Sequence, residues 1–165
     1  MTNNPATTTP NNIPQKNNTR NSAADTSSSG KTVNTFKIML VDDDPDILLT
    51  FKKGLEEVQK TIVEGVNLQV DTFADSKEAL TSFKAGVYDL LLLDIRMPNI
   101  NGFELYEELK KIDDKPRVCF ITAYELYYEA LKKDFPELDI GCFIKKPISI
   151  EDLTTRIRKE LALPL

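Results

Sequence analysis

The segment that most constrains the fold of this chain covers residues 88–102, with the sequence YDLLLLDIRMPNING. Its four consecutive leucines follow neither a helical nor an alternating period, which is typical of a parallel strand buried on both faces. The run ends in Asp94, and the sequence MPNING that follows favours a loop. Open α/β sheets bind their ligands at the carboxyl ends of strands, so Asp94 is a candidate functional residue. Considered alone, however, Asp94 is better explained as a cap of the strand or of the next helix.

Three further apolar segments also end in polar residues. MLVDDDP ends in acids, the strand in RVCFITAY ends in Thr122, and CFIKKP ends in lysines. The alternation of residues 68–73 predicts one more strand. Helical spacing fills the intervals between the strands, with helix starts predicted at Asp44, Asp75 and Ser149. Five strand–helix units in succession predict a doubly wound parallel sheet with helices on both faces.

Together, these polar strand ends resemble the receiver domain of response regulators, the phosphate-accepting half of two-component signalling pairs. The resemblance covers roughly residues 35–163. It implies an α/β fold of the flavodoxin-like type, with a five-stranded parallel sheet of order 2-1-3-4-5. In that order the first and third strands flank the switch point, so Asp42, Asp43 and Asp94 are expected to converge there. Clustered carboxylates attract a hard cation, and the predicted cofactor is Mg²⁺.

The resemblance also implies roles for individual residues. Asp94 is expected to be the phosphoacceptor, whose carboxylate attacks phosphorus and receives the phosphoryl group. Thr122 is expected to donate a hydrogen bond to a phosphoryl oxygen, and Lys146 to pair with the carboxylate or the phosphate. Lys145 competes for that role, but strand alternation points it to the opposite side. Pro147 adjoins Lys146, as in the family, where this peptide bond is typically cis.

A second set of residues is expected to hold the metal. By the resemblance, Asp43 and Asp94 ligate Mg²⁺ directly, the backbone carbonyl of Arg96 completes the protein ligands, and Asp42 acts through water. Asp44 stands at a position that is often acidic in the family, and it is expected to cap the first helix instead.

Two pairs of residues are expected to act once the phosphoryl group is in place. Thr122 and Phe143 are the expected switch residues, although family members commonly carry tyrosine where Phe143 stands. Arg96 and Tyr124 flank the path by which water would reach phosphorus. Neither side chain can orient an attacking water, so both are expected to prolong the phosphorylated state.

The charge of the chain indicates which partners it can have. The chain has 26 acidic and 21 basic residues, and residues 35–165 carry a net charge of −7. Because non-specific nucleic-acid binding depends on Lys and Arg, no direct nucleic-acid contact is predicted. No apolar run reaches transmembrane length, so no membrane insertion is predicted either. By the resemblance, the partners are a sensor histidine kinase or a histidine phosphotransfer protein, together with a downstream protein target.

The two ends of the chain and its cysteines suggest how the protein is organised. Residues 1–34 include 19 Asn, Thr or Ser residues, which predicts a disordered polar tail before a receiver domain at 35–165. Only three residues follow the last predicted helix, so a stand-alone receiver is expected. Without a secretory signal, a cytoplasmic location and buried reduced thiols are predicted for Cys119 and Cys142. A regulatory disulfide is an open alternative, because their strands could be neighbours.

Three other functions compete with the phosphoryl-accepting one, in which the chain promotes its own modification without being a turnover enzyme. A phosphohydrolase would need a second acid two residues after Asp94, where Arg96 stands. A flavin-binding electron carrier shares the strand order, but an acidic pocket would repel its phosphate. A degenerate receiver that acts only as a protein-binding module is the more serious alternative. The joint presence of Asp43, Asp94, Thr122 and Lys146 argues against it.

Overall fold

The structure, a computed structural model, describes residues 33–62, 65–123 and 142–163, with the backbone alone at 58–62. This part of the chain contains five strands that form one sheet, in the order β2-β1-β3-β4-β5, and every neighbouring pair is parallel. The strands are Asn34–Val41 (β1), Val66–Phe73 (β2), Leu90–Asp94 (β3), Arg117–Thr122 (β4) and Phe143–Lys145 (β5). The helices are Pro45–Ile62 (α1), Ser76–Ser82 (α2), Gly102–Ile112 (α3) and Ile150–Glu160, here called α4. The predicted fold class and strand order are therefore confirmed.

The leucine run forms the central strand, and all five residues of β3 are buried. Side chains that alternate along β3 enter two separate hydrophobic cores, one on each face of the sheet. Leu92 joins the core that α1 and α4 cover through Leu55 and Ile157. Leu93 joins the core that α2 and α3 cover. The absence of a hydrophobic period in the sequence thus reflects burial on both faces, as predicted.

Side-chain caps fix the starts of the helices. Asp44 accepts hydrogen bonds from the backbone of Asp46 and Ile47 at the start of α1. Asp75 and Ser149 cap α2 and α4 in the same manner, as the sequence predicted. Because each of these helices follows a strand or its loop, the caps determine where the chain leaves the carboxyl edge of the sheet.

One prediction about the cysteines is wrong. Cys119 and Cys142 are both fully buried, as expected, but they form a disulfide rather than two reduced thiols. The physical reason is the strand order, which makes β4 and β5 neighbours and brings the two Cα atoms to 4.5 Å. The expectations for the tail and for the helix after Thr122, including Tyr124, lie outside the described residues. The proposed domain boundary stays a prediction.

The start of α3 packs directly against the end of β3 through Gly102. A Cβ atom at this position would collide with the carbonyl oxygen of Asp94 and lie 3.0 Å from its carbonyl carbon. The amide of Gly102 also donates a hydrogen bond to the carbonyl of Ile95. Only a residue without a side chain fits this contact, so Gly102 fixes how closely the helix approaches Asp94.

We therefore expect Gly102→Ala to lower the free energy of unfolding by roughly 2 kcal/mol, because the collision is with backbone that cannot rotate away. Gly86→Ala is the control, since Gly86 has a φ of 76° but open space around it. Its cost should be only the strain of a left-handed residue, about 1 kcal/mol. Chemical denaturation of both variants measures the difference. Equal losses would show that the contact with Asp94 does not constrain the backbone.

Candidate functional site

The candidate site lies where the carboxyl ends of β1 and β3 meet. Val41 and Leu93 are partners in the register of these two strands, so Asp42 and Asp94 follow at matching positions. Both acids are buried, with Asp42 1% and Asp94 6% exposed. Carboxylates are rarely so buried unless they are paired, and here their partner comes from a third strand.

That partner is Lys146, the residue after β5. Its Nζ atom donates to Asp42 Oδ2 at 2.5 Å and to Asp94 Oδ1 at 2.7 Å. The amide of Lys146 donates to the carbonyl of Thr122 at 2.7 Å, which ties the end of β5 to the end of β4. The Lys146–Pro147 peptide bond is cis, as the family resemblance implied. Lys145, the competing candidate, is exposed.

Backbone amides hold the remaining carboxylate oxygens. The amide of Asp44 donates to Asp42 Oδ1 at 3.0 Å, and the amide of Arg96 donates to Asp94 Oδ2 at 2.8 Å. Each buried carboxylate therefore has one oxygen on Lys146 and the other on a backbone amide. These contacts orient the Asp42 and Asp94 carboxylates before any ligand arrives. Asp43, which lies between Asp42 and Asp44 in the chain, is exposed.

The electrostatics of the site leave an excess of negative charge. Burial raises the pKa of Asp94, and the nearby Asp42 carboxylate adds to the rise, while Lys146 and the Arg96 amide oppose it. Burial by itself lowers the pKa of Lys146, but its hydrogen bonds to Asp42 and Asp94 outweigh this effect and the net direction is upward. The two buried acids share a single ammonium group, so together the three groups carry a net negative charge. A site of this kind favours an additional cation.

The other predicted residues surround this centre to different extents. Thr122 ends β4 with 9% exposure and follows Ile121, the register partner of Asp94. Phe143 is half-buried, and its ring lies 5.8 Å from the ring of Phe120. The side chain of Arg96 is exposed beside Asp94. Tyr124 lies outside the described residues.

Two features of the loop after β3 were missed by the sequence analysis. Asn101 and Glu104 form a reciprocal capping box at the start of α3, and the spacing Asn-x-x-Glu was a readable signal for it. Ser76, 1% exposed, donates from its hydroxyl to the carbonyl of Pro98 at 3.4 Å. No local pattern could have indicated that contact, because it joins residues 22 positions apart. Both features hold the loop that carries Arg96.

Comparison with known proteins gives a consistent result. The family model for the response regulator receiver domain matches residues 38–158. Response regulator ArlR of Staphylococcus saprophyticus is 30% identical over 125 residues, which cover 76% of this chain and 52% of ArlR. The chain thus spans about half the length of that curated relative.

Two solved structures share the fold. The non-phosphorylated HemR receiver domain of Leptospira biflexa is 28% identical with a TM-score of 0.64, and the match covers 79% of this chain and 97% of that domain. The response regulator TrrA of Thermotoga maritima, solved in complex with Mg(2+)-BeF, is 32% identical with a TM-score of 0.59. That match covers 76% of this chain and 98% of TrrA.

None of the helices in the described part of the chain is both long and apolar enough to cross a bilayer.

Receiver domains are signalling domains of two-component systems, generally not turnover enzymes, and they interact with histidine kinases and downstream effectors. With the fold, the polar strand ends and the match over residues 38–158 in agreement, this chain belongs to the response regulator receiver domain family.

Proposed function

We propose that this chain accepts a phosphoryl group on the carboxylate of Asp94 and passes the resulting change to a protein partner. The observation that carries the proposal is the double contact of Lys146 with Asp42 and Asp94 at the carboxyl edge of the sheet. An acid that served only to cap a strand would not need to share a partly buried ammonium group with a second acid. Such pairing is costly to assemble, because both partners lose water.

In the proposed reaction a phosphoryl group moves from a nitrogen or oxygen atom of the donor to a carboxylate oxygen of Asp94. A carboxylate oxygen of Asp94 attacks phosphorus of a phosphohistidine or of a small acyl phosphate, and the bond from phosphorus to the donor breaks as the new P–O bond forms. The Arg96 amide and the Lys146 ammonium group orient the Asp94 carboxylate before attack. Lys146 can then pair with the phosphoryl oxygens, and the Thr122 hydroxyl can donate to one of them.

The residues at the site fit a bound Mg²⁺. The donors are carboxylate and carbonyl oxygens, which this hard cation prefers, and the acids outnumber the ammonium group. Asp43 and Asp94 would hold the ion with the backbone carbonyl of Arg96, and Asp42 would act through water. A bound Mg²⁺ would neutralise charge on the phosphoryl oxygens during transfer. The related TrrA structure, which is described as a complex with Mg(2+)-BeF, supports this proposal.

The signal is proposed to leave the site through β4 and β5. Thr122 and Phe143 would each have two positions, one favoured without the phosphoryl group and one favoured with it. The phosphoryl group would shift the balance because it makes different contacts in the two positions. Phe143 already packs against Phe120 in the core, so a movement of its ring would be felt in the packing of α3. The phosphoryl donor would be a sensor histidine kinase or a histidine phosphotransfer protein, and the recipient of the signal a downstream protein target.

The first test measures covalent phosphorylation of the chain. Incubation with acetyl phosphate and Mg²⁺ is expected to add one phosphoryl group to the chain, and Asp94→Asn is expected to abolish the addition because it removes the nucleophile. Asp89→Asn is the matched control, since Asp89 precedes β3 and contacts the Lys37 amide far from the site. Intact-mass measurement reads the outcome. Lack of modification of the parent would instead favour a receiver that acts only as a binding module.

The second test separates neighbouring acids. We expect Asp43→Ala to weaken Mg²⁺ binding by at least roughly tenfold, since loss of even an outer-shell partner costs that much at a metal site. Asp44→Ala should leave the affinity nearly unchanged, because the Asp44 carboxylate caps α1. Calorimetric titration measures both, with the unfolding midpoint as a check on folding. Equal losses of affinity would contradict the proposed ligand set.

The third test concerns the lifetime of the phosphorylated state. Arg96 can pair with a phosphoryl oxygen and Tyr124 can crowd the path of water, so hydrolysis should be slow. The double variant Arg96→Asn with Tyr124→Glu is expected to lose phosphate faster than the parent. The control, Arg96→Lys with Tyr124→Phe, keeps the charge and the ring and should resemble the parent. Mass is followed after removal of the donor at equal Mg²⁺. A decay no faster in the first variant would refute the shielding.

A further inference from the structure

The disulfide between Cys119 and Cys142 joins the two strands that end at the site. β5 is only three residues long, lies at the end of the sheet, and pairs with β4 at three register positions. The disulfide adds a covalent link at the amino end of β5, where the amide of Phe120 also donates to the carbonyl of Cys142. A short terminal strand held by few hydrogen bonds depends strongly on such a link.

The linked strands carry two of the proposed site residues. Thr122 stands three positions after Cys119 in β4, and Lys146 stands four positions after Cys142, directly beyond β5. Lys146 in turn binds both Asp42 and Asp94. Any change in how firmly β5 is held against β4 therefore reaches the ammonium group that orients Asp94.

The surroundings of the disulfide are partly polar. The Arg156 guanidinium donates from Nε to the Cys142 sulfur at 3.2 Å. A carboxylate oxygen of Glu160 and the two sulfurs all lie within 4.8 Å of one another. Arg156 and Glu160 pair at 3.6 Å, and their side chains are 33% and 20% exposed. A partly exposed ion pair of α4 thus lies beside the sulfurs, and the Arg156 guanidinium can stabilise a thiolate at Cys142.

We propose that Cys119 and Cys142 are a redox-active pair, and that their oxidation state sets the rate at which Asp94 accepts a phosphoryl group. The oxidised pair holds β5 and Lys146 in place, whereas reduction by a dithiol loosens them. This coupling rests on the function proposed above.

The step balances as an ordinary thiol–disulfide exchange. One thiolate of the dithiol attacks the Cys119 sulfur, the bond between the two cysteines breaks, and Cys142 leaves as a thiolate beside Arg156. The second thiol of the reductant then attacks its own mixed disulfide and releases Cys119. Two electrons pass to the protein, two protons end on its sulfurs, and the reductant becomes a cyclic disulfide. Displacement of the ion pair between Arg156 and Glu160 gives the dithiol access.

The first part of the experiment tests the pair itself. The full chain is equilibrated in an oxidising glutathione buffer or treated with dithiothreitol, which is then removed, and thiols are alkylated after denaturation and counted by mass. We expect no free thiol in the oxidised protein and two in the reduced one. The reduced protein should unfold about 10 °C lower, since the link restricts the unfolded chain. Two free thiols in both samples would overturn the proposal.

The second part tests the coupling. Acetyl phosphate and Mg²⁺ are added to the oxidised protein, the reduced protein and the variant Cys119→Ala with Cys142→Ala, and phosphorylation is followed by mass. We expect the reduced protein to react roughly three- to tenfold more slowly, because a displaced orienting group costs rate steeply. The variant should match the reduced protein and ignore dithiothreitol.

Equal rates in the oxidised and reduced proteins, or a variant as fast as the oxidised protein, would overturn the coupling. Failure of all three proteins to be phosphorylated would overturn the function proposed above and the coupling with it. The thiol count and the unfolding midpoint would still decide whether the pair is redox-active, so the two failures are distinguishable.

Discussion

The ion pairs of Lys146 with Asp42 and Asp94 are the interaction on which the rest of the site depends. They join residues that lie 104 and 52 positions apart in the chain. The ends of β1, β3 and β5 are thereby brought into one polar cluster at an edge of an otherwise apolar sheet. Removal of water from three charged groups is costly, and the contacts persist because backbone amides also satisfy the carboxylates. Geometry rather than net stability is what this arrangement supplies.

The apolar framework explains why the cluster stays in place. β3 is buried along its whole length and separates two cores, so a slip of the strand would move the Asp94 carboxylate away from its partners or into apolar surroundings. Asp94 is the last residue of that strand, so its backbone is held in place with the strand. On the other side, Gly102 brings α3 close against the Asp94 backbone, and the capping box at Asn101 fixes where that helix starts. The candidate nucleophile is therefore held by a strand behind it and a helix start beside it.

The terminal strand β5, which precedes Lys146, is held by fewer strand pairs than the strands at the other side of the sheet. β1 pairs with β2 over eight register positions, whereas β5 pairs with β4 over only three. Stability is not uniform across a structure, and the elements with the fewest contacts open first. The disulfide between Cys119 and Cys142 therefore joins the strand that has the fewest register pairs in this sheet to its neighbour, and Lys146 follows that strand directly.

Features that depend on near neighbours in the chain could be predicted from the sequence. The unbroken leucine run predicted a strand buried on both faces, and Asp44, Asp75 and Ser149 predicted helix starts, because burial and capping leave patterns within a few residues. The alternation of strands and helices, with the family resemblance, was enough for the strand order. The family resemblance also pointed to Lys146 as a partner of Asp94, and the sequence left the state of the two cysteines open. Other contacts across the fold were visible only in three dimensions: the second bond of Lys146 to Asp42, the choice of a disulfide over free thiols, the approach of Gly102 to Asp94 and the bond from Ser76 to Pro98. These contacts depend on register, depth and helix position at once, and no local spacing in the chain encodes that combination.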